Sequence, residues 1–213
     1  MPKIHELLAN LQTKLPILSA MDANTIDGLD TYLKLLTKWN KAINLTGIKD
    51  PVAIFNELIV DSFYLAEFLA TLPLDLEPIC YDLGAGAGLP GIPLRLIWTH
   101  GTYTLIEIRD KRAIFLAQVL AHLKLKNTFV YRGALQDYFA KQKVAPDLII
   151  SRAFWPWPKL GAFLEPRLNN GLWIVLTKEP KPQDNLPNWE LVARQSYQVA
   201  KSERFFWALH KKS

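Results

Sequence analysis

The residues best suited to chemistry lie between Ile79 and Leu94. There an apolar stretch runs into Asp82-Leu83-Gly84-Ala85-Gly86-Ala87-Gly88-Leu89-Pro90-Gly91 and then into a helical pattern. A strand that ends in a glycine-rich turn and restarts as a helix lets a ligand come close to backbone N–H groups, because no Cβ blocks the approach. A turn that only redirects the chain has little use for three alternating glycines. Gly86-x-Gly88-x-x-Gly91 satisfies the dinucleotide fingerprint, and Glu107 closes the next expected strand, where a ribose-binding acid belongs. Asp82 shifts the balance. An acid just ahead of the loop repels a pyrophosphate but suits a ligand bearing an amino group and a sulfonium, as S-adenosylmethionine does. The loop is therefore read as an S-adenosylmethionine site, with a nicotinamide dinucleotide as the alternative.

Further candidates follow along the chain. The third expected strand leads into Arg132-Gly133-Ala134-Leu135-Gln136, where backbone contacts to an adenine fall in such a fold. The fourth runs into Ser151-Arg152-Ala153-Phe154 at the carboxyl edge, where open α/β sheets bind ligands. Arg152 stays charged and demands a partner: a substrate phosphate, the cofactor's methionyl carboxylate, or a structural ion pair. The single cysteine, Cys80, excludes an internal disulfide framework and reads as a buried small hydrophobe in the first strand. The four histidines show no ligand spacing, so no metal is expected.

The elements that must position these residues are of two kinds. From Leu29 the residues Tyr32, Leu33, Leu36, Trp39 and Ile43 recur at helical steps, with Ser19 and Asp22 in capping-box spacing ahead of them. Asp50-Pro51 reads as a second helix start, with the helix running from about Val52 to Leu69. After Pro78, strand candidates Ile79–Leu83, Tyr103–Ile108, Thr128–Arg132, Asp147–Ile150 and Leu172–Thr177 alternate with helices Leu89–Trp98, Lys111–Leu123, Leu135–Lys141 and Pro158–Leu168. That alternation predicts a parallel sheet with helices on both faces. Trp189–Ala200 and Arg204–Leu209 suggest a closing antiparallel pair, reached through a proline-rich loop over 178–188. The expected division is a helical segment over 1–75 packed on a Rossmann-like domain over 76–213.

Charge separates the same two regions. Residues 1–80 hold 6 Lys and no Arg against 10 acids, a net of −4, whereas residues 81–213 hold 19 basic residues against 10 acids, a net of +9. A basic excess confined to the cofactor-binding part suits a polyanionic partner, although a solvated basic face has the same composition. No apolar run approaches the roughly 20 residues of a membrane span, and the start lacks a secretory pattern, so a cytoplasmic protein without membrane contact is expected. Monomer is the default oligomeric expectation.

Taken together, Trp39-Asn40-Lys41-Ala42-Ile43-Asn44-Leu45-Thr46, Asp61-Ser62, the glycine loop through Gly88-Leu89-Pro90-Gly91-Ile92-Pro93, Lys111-Arg112 and Ser151-Arg152-Ala153-Phe154 resemble one family. It is the bacterial 16S ribosomal RNA guanine-N7 methyltransferases, or glucose-inhibited division protein B. The resemblance covers roughly residues 30 to 180. It implies a Rossmann-like class I S-adenosylmethionine-dependent fold and a guanine in the decoding-region loop of 16S RNA, free or in the small subunit, as substrate. It further implies that Asp82, Gly84, Gly86, Gly88, Leu89, Glu107, Ala134, Leu135 and Arg152 serve the cofactor. Asn44, Thr46 and Arg152 would serve the methyl transfer, and Lys111, Arg112, Arg152 and Trp155 the RNA. Guanine N7 carries a lone pair and no proton, so transfer needs positioning rather than a general base. The chain departs from the family's usual residues at Glu57-Leu58, Gly133–Leu135 and Leu176–Lys178, which keeps another RNA open as the target.

Overall fold

The computed structural model describes residues 4–9, 11, 15–168, 170–182 and 186–212. Seven strands form one sheet: β1 (Ile79–Leu83), β2 (Thr102–Glu107), β3 (Thr128–Arg132), β4 (Leu148–Arg152), β5 (Leu172–Thr177), β6 (Trp189–Val199) and β7 (Ser202–Lys211). Their spatial order is β3-β2-β1-β4-β5-β7-β6. The first five are mutually parallel, and β7 enters antiparallel between β5 and β6. Strand order reverses between β1 and β4, so a crevice opens at their carboxyl ends, the place where doubly wound sheets bind ligands.

Helices α5 (Gly91–Ile97) and α6 (Asp110–Leu123) cover one face, and α7 (Leu135–Lys141) and α8 (Trp157–Leu164) the other. Every strand predicted from sequence is present, with ends shifted by at most two residues, as expected where caps rather than apolar runs fix the boundary.

The amino-terminal part shares the α5 and α6 side of the core. It comprises α1 (Ile4–Ala9), α2 (Ala23–Ile43), α3 (Pro51–Ile54) and α4 (Val60–Ala70). Fully buried Tyr32, Phe55 and Phe63 belong to the same apolar cluster as Tyr103 and Leu105 of the sheet. Phe68 of α4 stacks on Phe206 of β7 at 5.4 Å, so this segment and the sheet bury each other.

Two local expectations are corrected. α2 begins at Ala23, and Asp22, not Ser19, is its cap: the Asp22 carboxylate accepts from Thr25 N–H at 2.8 Å while Ser19 lies in a 3₁₀ turn. The polar first turn hides this start from the apolar periodicity. Asp50 does cap α3, with Pro51 at the first helical position. The single helix expected from there is broken by a π-helical turn over Phe55–Ile59, in which Val60 N–H bonds to Phe55 C=O. The wider turn leaves the Glu57 carbonyl to accept from Arg204 at 2.7 Å. Such insertions concentrate at functional sites.

Candidate active site

At the carboxyl edge the glycine loop folds so that its glycines do different work. Gly84, Gly86 and Gly88 have φ of +67°, +58° and +80°, a region that side chains rarely adopt. A Cβ at Gly84 would run into the Phe154 ring, and one at Gly88 into Ile92. Those two glycines, with Gly91 packed on the Asp82 carboxylate, are required by protein packing. At Gly86 the nearest atoms are Arg112 Nη1 at 3.5 Å and the Gly84 carbonyl at 3.6 Å, so its missing Cβ leaves room for a ligand.

Gly86 N–H donates to Glu107 Oε2 at 2.9 Å, and Arg109 N–H donates to Oε1 at 2.8 Å. Glu107 thus joins the glycine loop to the end of β2 at the floor of a cavity of about 260 Å³. Gly84, Arg112, Ala134, Leu135 and Trp155 contribute to its walls, with Ile108, 63 % exposed. An apolar, solvent-facing surface beside a carboxylate suits a flat purine attached to a ribose, and an open glycine cradle suits the amino-acid end. The residues present therefore fit S-adenosylmethionine.

Asp82 stands beneath the loop and is buried. Its Oδ2 accepts from the Tyr103 hydroxyl at 3.0 Å. Burial pushes its carboxyl up to about 7, against the opposing pull of the Tyr103 hydrogen bond, the Arg152 charge and the Gly91 N–H. In the unfolded chain the same group titrates near its ordinary value of 3.8. Between about pH 4 and about pH 7 the folded protein keeps a proton that the unfolded chain has lost, so this residue makes stability fall as pH rises through that window. Denaturant unfolding of the wild type against Asp82→Asn should show that decline in the difference between them, ending near pH 7. A difference independent of pH would contradict it.

A second cavity, about 400 Å³, adjoins the first across Ala153, which lines both. Ala153 has φ of +49°, a conformation that is strained for a residue with a Cβ and that re-aims the chain after β4. At the centre lies Asp61, 2 % exposed. Its Oδ1 accepts from the Tyr197 hydroxyl at 3.0 Å, Arg204 Nη1 donates to both oxygens at 2.7 Å, and Arg152 Nη1 donates to Oδ2 at 3.2 Å. Arg152 is therefore in an ion pair, and its side chain, 26 % exposed, stands on the wall of the second cavity and not of the first. Leu58, Trp157, Thr177 and Lys178 complete the wall.

The structure brings together Gly84, Glu107, Arg112, Ala134, Leu135 and Trp155 in the first cavity, with Arg152 next door; Gly86 is tied to them by its bond to Glu107, whereas Asp82 and Gly88 do not line the cavity. Leu89 is buried in the core behind the loop. Lys111 is exposed and lines neither cavity. Trp155 stacks on Phe154 at 4.8 Å under Lys159 and belongs to the first cavity, whereas Trp157 lines the second.

Asn44 and Thr46 also line neither. Asn44 is the exposed left-handed cap of α2, and Thr46 is held by its neighbours: its N–H donates to Asn40 Oδ1 and its hydroxyl to the Ile48 carbonyl. Tyr197 and Arg204 escape sequence reasoning because they reach the site from the closing hairpin, with no motif around them. Asp61 carries a signal only as half of Asp61-Ser62. Ile108 could have been found as an apolar residue just past the acid that ends β2. Among the described residues no cluster of metal-ligating side chains occurs, and no helix is long and apolar enough to cross a membrane.

Comparison with known proteins agrees with this geometry. Residues 25–208 match the family model described as rRNA small subunit methyltransferase G. The chain is 40 % identical to the Ribosomal RNA small subunit methyltransferase G of Oleidesulfovibrio alaskensis over 99 % of its own length and 94 % of that protein's. It is 43 % identical to the protein of the same name from Lawsonia intracellularis over 88 % of each.

Solved structures of similar fold include a putative methyltransferase from Escherichia coli, at TM-score 0.52 and 21 % identity over 70 % of this chain and 84 % of that one. An rRNA methylase from Streptococcus thermophilus gives TM-score 0.51 and 15 % identity over 71 % of this chain and 96 % of that one. At these identities the likeness concerns the fold alone, and it is the class I methyltransferase fold. The two adjoining cavities thus stand on the scaffold, and in the sequence context, of one set of enzymes: this chain belongs to the rRNA small subunit methyltransferase G family.

Proposed function

We propose that this chain methylates N7 of a guanine in the decoding-region loop of 16S ribosomal RNA by direct in-line transfer. The cofactor would occupy the first cavity and the target base the second. Use of S-adenosylmethionine and action on small-subunit ribosomal RNA accord with the family; the atom, the loop and the placement of the base are the proposal. The observation that carries it is the pair of cavities meeting at Ala153, one a cofactor cradle and the other framed by cations.

S-adenosylmethionine supplies an electrophilic methyl group, and guanine N7 offers an unprotonated lone pair, so no side chain has to take up a proton at that atom. The protein's part is orientation and charge. Glu107 would hold the ribose, the Gly86 cradle the amino-acid end, and Ala134 and Leu135 the adenine. Around the second cavity one carboxylate, Asp61, faces Arg152, Arg204 and Lys178. The surplus of positive charge suits the phosphates that flank an extruded base. Asn44 and Thr46 would act through the loop that follows α2, held by Asn40, while α2 itself packs on α6 through Trp39 and Phe115.

Transfer of labelled methyl to naked 16S RNA and to assembled small subunits, followed by nucleoside analysis, tests this reading. N7-methylguanine supports it, and label on another atom or only on other RNAs contradicts it. Arg152→Ala in the same assay should stay folded, because Arg204 and Tyr197 still hold Asp61. It should raise KM for RNA about tenfold, in line with the loss of one charged contact. Loss of folding instead would make Arg152 purely structural.

A further inference from the structure

A third hollow, about 440 Å³, opens on the α7 side of the sheet at the opposite, amino edge of β1, β2 and β3. It exists because α7 is only seven residues long and stops at Lys141. Its buried residues Leu135 and Tyr138 cover the upper sheet, and Thr102, Thr104 and Phe129 below are left facing the gap. Phe129 is 55 % exposed, and Val144 across from it is 61 % exposed. Both belong to a hollow whose rim carries Lys141 and Lys143.

We propose that this groove binds a segment of the ribosomal RNA away from the target guanine, with an unpaired base stacked on Phe129 and adjoining phosphates on Lys141 and Lys143. The inference rests on the RNA reading above and extends it.

Three features choose RNA as the occupant. First, β3 is an edge strand, so the Phe129 ring stands at the border of the sheet, where a flat base can reach its face; aromatic platforms of this kind accept any base. Second, none of the side chains lining the groove is acidic, so its two lysine charges have no opposing charge within it. Lys141 lies over the Tyr131 ring, 5.6 Å from the centroid, and donates to its hydroxyl at 3.4 Å, contacts that leave its charge uncompensated. Third, the groove lies within reach of the catalytic edge although α7 separates the two. Phe129 of β3 precedes Gly133, a wall residue of the cofactor cavity just past the end of that strand, by four positions, about 13 Å at ~3.3 Å per residue. Arg132, between them on the chain, turns to the other face of the sheet and pairs with Asp110 at 3.5 Å, so it takes no part in the groove. One folded RNA can therefore engage both.

The test uses the full chain with Phe129→Ala, with Lys141→Gln/Lys143→Gln, and with Phe129→Tyr as the conservative control. Binding of naked 16S RNA is measured across a salt series, alongside S-adenosylmethionine affinity. The expected result is about tenfold weaker RNA binding for Phe129→Ala, restored in Phe129→Tyr. For the double lysine variant the salt dependence should fall by about two counterions. Cofactor affinity should be unchanged in all three, which shows that the fold is intact. Unaltered RNA affinity and salt slope would overturn the proposal. So would a loss seen with assembled small subunits but absent on naked RNA, which would make a ribosomal protein the occupant. These binding measurements do not depend on turnover. If the wild type transfers no methyl to guanine N7, the proposed function fails while the groove is still decided.

Discussion

Replacing Gly86 with valine is expected to abolish binding of S-adenosylmethionine while leaving the protein folded. Isothermal titration should show at least a hundredfold loss of affinity. This glycine differs from its neighbours in what surrounds it. Gly84 and Gly88 have no space for a Cβ inside the protein, so substitutions there strain the fold itself. At Gly86 the protein leaves space, and the added branches would fill the volume above the backbone that a ligand must enter. A φ of +58° adds strain on the order of 1–3 kcal/mol, because a β-branched residue disfavours that region. The Gly86 N–H bond to Glu107 would also be displaced, loosening the carboxylate expected to hold the ribose. Thermal unfolding should therefore shift modestly while cofactor binding disappears. Wild-type affinity in the variant would mean that the loop is a turn and the cradle lies elsewhere.

Asp61→Ala is expected to produce the largest loss of stability. The carboxylate is the shared acceptor of Arg152, Arg204 and Tyr197, and removing it leaves two guanidinium groups facing each other with their partner gone. Arg204 would keep the Glu57 carbonyl as an acceptor but no counter-charge, and its Nε already has no hydrogen-bond partner. Breaking a buried pair of this kind costs about 3–5 kcal/mol. That is a large fraction of the roughly 5–15 kcal/mol by which domains are stable. At about 2–4 °C per kcal/mol for a chain of this size, Tm should drop by on the order of 10 °C. Asp61→Asn, which keeps an acceptor oxygen, should recover part of the stability while methyl transfer stays low, because the charge that aligns Arg152 is lost. An Asp61→Ala protein as stable as the wild type would remove the network from the account.

How far the sequence anticipates this protein depends on the kind of interaction involved. The strands after Pro78 were legible because a buried parallel sheet is written as short apolar runs, and the glycine loop because its chemistry is local. Asp82 was legible as an acid at the loop but not as a buried strut. Its partners Tyr103 and Gly91 come from a neighbouring strand and from the next helix.

The acidic helical half gives a second case. Its charge reads as a puzzle beside an RNA substrate, yet Asp22 and Asp50 are helix caps, Asp61 is the internal partner of two arginines, and Glu67 accepts from Ile17 N–H. These acids serve the fold, but of the four only Asp61 is buried; Asp22 and Asp50 cap their helices from exposed positions and leave their charge on the surface. Tyr197 and Arg204 lie 136 and 143 residues from Asp61 in the chain, and only the antiparallel insertion of β7 beside β5 brings them to the site. The resemblance, which ends near residue 180, could not reach them. Asn44 and Thr46 show the converse: a motif can be specific to a family because it holds a loop, as Asn40 and Thr46 do here.

The proposed reaction is transfer of a methyl group to N7 of a guanine in the decoding-region loop. It is tested most directly by mass mapping of 16S RNA from cells with and without this protein. One guanine of that loop should carry an N7-methyl group only when the protein is present, and the Gly86→Val protein should fail to restore it. Identical methylation in both RNAs, or a methyl that depends on the protein but lies on another atom or in another RNA, would contradict it.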